Sequence, residues 1–231
     1  MLFRSTAVAV RDDGLFALHY VHMAAELWLD SRNGWLAVVD GSTKYAMVER
    51  FRFEPNEPYP GKASVIFWTN GSGLQLRSDG EPVLNSEEGN PPFYMEAELN
   101  SPLCRLRSGE SCDFETEWFP TRAGSDLRGV SEAGILLKAL EARLENGKIK
   151  LAGSFGVFFS GRLVARLYDQ HGASLGSVPL RDVNPAEPVL LQAEISPNPK
   201  TTRLSVHLID VNGLDRGPLE EVPVSPTESL R

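Results

Sequence analysis

The sequence predicts an all-β protein built from two antiparallel sandwich domains, and three observations carry that expectation. Turn signals, from RDDG and SRNG near the start to SPNP and DVNG near the end, punctuate the chain about every ten residues. The runs between them are short and rich in Val, Ile, Leu, Phe, Tyr and Trp, residues that suit a pleated, half-buried surface. Only GVSEAGILLKALEARL has a pattern that a helix could use, and its far end, LEARLENGKIKLAG, reads equally well as a hairpin turning through Asn146 and Gly147.

The composition shifts near residue 125, which divides the chain into domains 1–125 and 126–231. All four tryptophans, Trp28, Trp35, Trp68 and Trp118, precede the shift. After it the strands become plain, and IKLAGSFG, RLVARLYD, VLLQAEIS and TRLSVHLID belong to a series of roughly seven at regular spacing. That count predicts an immunoglobulin-like sandwich without the Cys-Trp-Cys hallmark. The closing PVSPTESLR reads as a frayed tail.

Composition excludes several function classes. The net charge is −8 and the 23 Lys and Arg are scattered singly, so no basic stripe tracks a phosphate backbone or an anionic membrane surface. No apolar run approaches the length of a membrane-spanning helix, and MLFRSTAVAVRDDG lacks the apolar core of a secretory signal. The chain as given reads as soluble, with its compartment undetermined; MLFRSTAVAV resembles the middle of a protein more than a beginning. Two cysteines, Cys104 and Cys112, are too few for a disulfide framework, a zinc quartet or a redox motif. They face each other only if the hairpin between them is symmetric about Ser108, and free thiols are the expectation.

Taken in chain order, the first chemical candidate is the segment 20–30. Read as a strand, it places Tyr20, His22, Ala24, Glu26, Trp28 and Asp30 on one face and His19, Val21, Met23, Ala25, Leu27 and Leu29 on the other. The second set is a core face. The first mixes rings, an imidazole and carboxylates, as saccharide-binding surfaces do, and it fits a solvated outer face as well.

The same alternation over FYMEAELN sets Phe93, Met95, Ala97 and Leu99 against Tyr94, Glu96, Glu98 and Asn100. Alternate residues on a strand lie roughly 6.5 to 7 Å apart. That spacing is the lower end of the range for the two carboxyls of an inverting glycosidase, and it is also common on solvated strands.

Other chemistries find little support. His19 and His22 form HxxH, which on a strand points the two rings to opposite faces, so no metal site is expected. His171 in a turn and His207 in a plain strand read as bystanders. No nucleophile elbow, SxxK or Cys-His pattern occurs, and no helix follows the glycines of TNGSG to make a phosphate cradle.

GWLAVVD (34–40), YAMVERFRFEP (45–55), YPGKASVIFWTN (59–70), YMEAELNSPLCRLRSGES (94–111) and TEWFP (116–120) together resemble a family of largely uncharacterised bacterial proteins with the galactose-mutarotase-like β-supersandwich fold. The shared pattern is a strand with Glu-x-Glu, a small residue with Pro and Leu, a Pro-Gly-Glu turn and a closing Glu-x-Trp. Ser108 stands in place of the turn proline. The resemblance covers residues 14 to 122 and nothing of the second domain.

It implies a curved sheet that holds a carbohydrate on its concave face. In the wider superfamily a glutamate base and a histidine acid open and close the sugar ring without a cofactor or metal, which here implies Glu98 or Glu96 as base and His22 as acid. Tyr20, Glu26, Trp28, Tyr94, Asn100 and Trp118 are the implied substrate contacts. A mutarotase or epimerase, a glycoside hydrolase using a glutamate pair and a non-catalytic carbohydrate-binding module are the competing functions. Such sandwiches usually need a longer chain than residues 1–125, so pairing with a second copy to cover an open face is also expected.

Overall fold

A computed structural model describes residues 8–20, 25–71, 94–124 and 127–226, with 73–76 and 82–85 described by their backbone alone. Among these residues the regular structure is all β apart from one 3₁₀ turn at Pro60–Lys62. Among the described residues no helix is long and apolar enough to cross a membrane. The strands are β1 (Val8–Val10), β2 (Phe16–Leu18), β3 (Ala25–Leu29), β4 (Trp35–Val39), β5 (Tyr45–Phe51), β6 (Val65–Thr69), β7 (Gly73–Leu76), β8 (Pro82–Asn85), β9 (Met95–Leu99) and β10 (Thr116–Arg122). They continue with β11 (Gly129–Val130), β12 (Gly134–Glu145), β13 (Lys148–Val157), β14 (Gly161–Tyr168), β15 (Ser174–Val183), β16 (Val189–Ile195), β17 (Arg203–Asp210), β18 (Asp215–Pro223) and β19 (Ser225–Pro226).

The chain divides into two compact units, Met1–Leu36 with Glu49–Glu117, and Ala37–Val48 with Trp118–Arg231. These divisions fall inside β4, β5 and β10, which make a three-stranded sheet in the order β10-β5-β4.

The second unit contains two further sheets. One has the order β11-β12-β13-β16, with β19 added in parallel to β12; the other runs β15-β14-β17-β18. Alternation sends Ile149, Leu151, Phe155 and Val157 of β13 to the same core as Leu163, Ala165 and Leu167 of β14 and Leu204, Val206 and Leu208 of β17. The two sheets therefore pack as a sandwich whose inner faces supply one apolar layer. No helix forms in GVSEAGILLKALEARL, which is β11 and most of β12. The reversal after it is a two-residue turn in which Asn146 (φ 51°) and Gly147 (φ 75°) are both left-handed, the geometry that matches strand twist.

A Cβ at Gly147 meets nothing within 4 Å, so only its backbone conformation is at stake. Gly147→Ala is expected to cost about 1 kcal/mol, read as a lower urea midpoint with unchanged slope. The start of PVSPTESLR is not frayed: Pro223 closes β18 and Ser225 pairs with Arg143 of β12, and the residues after Pro226 lie outside the described residues.

In the first unit β1 pairs with β2, β7 with β8, and β6 lies between β3 and β9, every pair antiparallel. Phe53 stacks on buried Tyr59 with ring centroids 5.4 Å apart, and the Tyr59 hydroxyl accepts a hydrogen bond from the Glu54 amide. The cysteine expectation is overturned here: Cys104 and Cys112 form a disulfide across the Ser108–Gly109 turn. The Glu110 carboxylate accepts from the Arg107 amide while the Glu110 amide donates to the Arg107 carbonyl, which closes the turn between the two cysteines.

Glu49 of β5 is 8% exposed, and burial pushes its carboxyl above the usual range. A carboxyl raised in the folded state favours folding while protonated, and that contribution is lost as pH rises through its folded pKa. Glu49→Gln is therefore expected to raise the urea midpoint at neutral pH, with the gain shrinking as pH falls below the usual carboxylate range. An equal gain at both ends of the titration would refute the assignment.

Candidate functional site

The site starts from β6, VIFWT, whose β-branched and aromatic residues favour a strand and which is bounded by the turns of YPGKAS and TNGSG. Its two antiparallel partners are in matched register. Glu26 of β3, Trp68 of β6 and Glu96 of β9 form one row across the sheet; Trp28, Ile66 and Glu98 form the next. Side chains in one such row stand on the same face, and strands are spaced about 4.8 Å apart, which puts Glu26 and Glu96 roughly 9.5 Å from each other on either side of Trp68. The opposite face carries Ala25, Leu27, Leu29, Val65, Phe67, Met95, Ala97 and Leu99. Parity thus separates an apolar face from an aromatic and acidic one, as the two segments predict individually.

The aromatic and acidic face is open. Glu26, Glu96 and Glu98 are exposed, and Trp28 and Tyr94 retain 44% and 43% exposure. Ile66 is buried between Trp28 and Glu98, so that row has an apolar floor. Trp28 is held from one side by Gly61 of the 3₁₀ turn: a Cβ built there would fall 2.0 Å from the indole Cζ3. Gly61 also has φ 57°, so the backbone needs glycine twice, for its left-handed conformation and for the ring that lies against it.

Polar contacts pin both ends of the sheet. Ser64 donates its amide to Asp30 at 3.2 Å, its hydroxyl accepts from the Ser31 amide at 3.0 Å, and the Asn100 amide donates to the Ser64 carbonyl. At the other end Tyr20 donates its hydroxyl to the Asn70 carbonyl at 3.0 Å, and the Asn70 amide donates to the Tyr94 carbonyl. Tyr20 and Tyr94 therefore flank one end of the face, adjoining the Trp68 row.

The structure brings together Glu26, Trp28, Glu96 and Glu98, with Tyr20 and Tyr94 at their margin. Asn100 follows on the same strand, with its side-chain NH₂ committed to the Ala63 carbonyl at 3.0 Å, so it fastens the turn that carries Gly61. His22 lies outside the described residues. Trp118 stands on β10 in a different sheet and is 61% exposed. Sequence reasoning missed Trp68, Ile66 and Gly61. The same alternation test applied to KASVIFWTN would have put Ile66 and Trp68 on one face, whereas the seat that Gly61 offers Trp28 depends on a turn geometry that no periodicity encodes.

Among the described residues no group of three or more His, Cys, Asp or Glu side chains is placed to hold a metal ion. The second unit has a shallow cavity of about 400 Å³ lined by Glu141, Arg143, Lys150, Ala152, Gln192 and Glu194. Its cations are engaged, Arg143 with Glu141 and Lys150 with Glu145. His207 is buried, and its Nδ1 lies 3.0 Å from an Asp215 oxygen that sits in an ion-paired carboxylate shared with Arg166. That trio ties β14, β17 and β18 together. No family model, curated protein or solved structure matches the chain.

Proposed function

We propose that the protein binds a carbohydrate on the open face of β3, β6 and β9. One observation carries the reading: the register sets an indole between two carboxylates in one row and a second indole beside a carboxylate in the next. Indole faces cover the apolar C–H faces of a pyranose, while carboxylates accept hydrogen bonds from its hydroxyls. Rings spaced along an open face suit two or more sugar units of a chain better than one sugar enclosed on all sides.

The resemblance of residues 14 to 122 to galactose-mutarotase-like sandwiches supports the same ligand class, and we read the first unit as a domain of that kind. The order β12-β13-β16 against β15-β14-β17-β18 supports an immunoglobulin-like second unit, which would act as a spacer or docking module. Binding is favoured over turnover because Glu96 and Glu98 are exposed, whereas proton transfer to a glycosidic or ring oxygen needs a drier centre. The catalytic alternative assigns Glu98 or Glu96 as base and His22 as acid, and pairing with a second copy remains part of the proposal as a way to cover the apolar face.

A panel of neutral mono- and oligosaccharides tested by calorimetry should give saturable binding that strengthens from monomer to tetramer. Trp28→Ala should weaken it about tenfold or more, in line with the loss of one stacking platform. Binding unaffected by Trp28→Ala would move the site elsewhere. Turnover of any bound sugar, lost in Glu98→Gln with binding kept, would restore the enzymatic reading.

A further inference from the structure

The charge of the same face narrows the ligand class. The strands that form it carry Glu26, Glu96 and Glu98 and not one Lys, Arg or His: β3 reads AELWL, β6 VIFWT and β9 MEAEL. Among the described residues no cation is ion-paired with any of the three glutamates. Lys62 is close in sequence to the Gly61 seat, on the 3₁₀ turn beside Trp28, and its side chain is exposed.

A saccharide carrying uronate, sulfate or phosphate groups would bring its anions against three carboxylates on strands that supply no cation. A neutral saccharide would be tolerated. A protonated amine would be attracted twice, by the carboxylates and by the indole face. Trp68 has Glu26 and Glu96 as its direct cross-strand neighbours, whose Cβ atoms in such pairs lie about 5 Å away on each side. A cation above that indole is within reach of both carboxylates and of the ring's negative face. The second row, Trp28 with Glu98, repeats half of this arrangement one step along the strands.

We infer that the face selects amino sugars with free, protonated amines, held with an ammonium over Trp68 between Glu26 and Glu96. This rests on the saccharide-binding reading and adds a charge requirement to it. Specificity would then come from the ammonium, and general affinity from Trp28, Trp68 and Tyr94.

Two probes share one backbone and differ only at C2: the β-1,4-linked tetramer of glucosamine and that of glucose. Calorimetry on the full chain at about pH 5.5, where the amines of the glucosamine tetramer are protonated, should give at least tenfold tighter binding of that tetramer. High salt should cut that preference, because exposed charges are screened. The double variant Glu26→Gln with Glu96→Gln should reduce it below threefold, with far-ultraviolet circular dichroism unchanged. Equal affinities for the two tetramers, or tighter binding of an oligouronate, overturn this inference and leave saccharide binding standing. If neither tetramer, the oligouronate nor any of the neutral sugars binds, both readings fall together.

Discussion

Phe155→Ala is expected to lower the stability of the second unit by about 3 to 5 kcal/mol. Phe155 is fully buried on β13, with Leu136 opposite it on one side and Val189 on the other. Its ring passes over Gly153, where an added Cβ would lie 3.1 Å from Cζ. Truncation empties the space above that glycine, and β16 on one side pairs through an unbroken ladder while β12 on the other is bulged around Lys138, so the site can collapse only partly. A domain of this size is stable by roughly 5 to 15 kcal/mol, so the loss is a large fraction of the whole. Urea unfolding followed by tyrosine and tryptophan fluorescence and by circular dichroism measures it. A loss under about 1 kcal/mol would show that the sandwich core does not centre on this ring.

Gly61→Ala is expected to abolish most saccharide affinity while leaving the protein folded. The added methyl would fall 2.0 Å from the Trp28 indole, and the left-handed φ of 57° disfavours any Cβ there. The backbone cost is about 1 kcal/mol, which a folded chain survives. The indole, 44% exposed, has solvent to move into and will swing off its seat. We expect an affinity loss of about ten- to a hundredfold, comparable to removing the ring, since a displaced platform offers a sugar the wrong plane. The informative comparison is with Trp28→Ala: combining the two substitutions should cost no more than Trp28→Ala alone, because both act through one side chain. Additive losses would mean that Gly61 matters for another reason.

Much of this arrangement is legible in the amino-acid sequence. Alternation over 25–29 and 95–99 assigns the correct face to Glu26, Trp28, Glu96 and Glu98, because a period of two leaves a strand only one choice once an apolar face is named. The Asn146–Gly147 turn is legible because few residue pairs tolerate two successive positive φ angles. Which strands adjoin is not legible. Nothing local in AELWL or MEAEL says that VIFWT lies between them, and without that middle strand the two acidic segments have no defined separation. The disulfide fails for a related reason: the segment from Cys104 to Cys112 is not a pair of strands, so hairpin register, the one rule applied to it, does not decide whether the sulfurs meet.

The division of the chain also bears on how it is made. Ala37–Val48 belongs to the second unit yet is synthesised before most of the first, while the segments it joins begin only at Trp118. A ribosome releasing this protein therefore exposes the paired β4 and β5 long before β10 emerges, so their three-stranded sheet cannot complete itself until residues 116–122 are out. A gene cut at residue 125, where composition alone would place the scissors, would keep β4, β5 and β10 together but part Ala37–Val48 from most of the unit it belongs to.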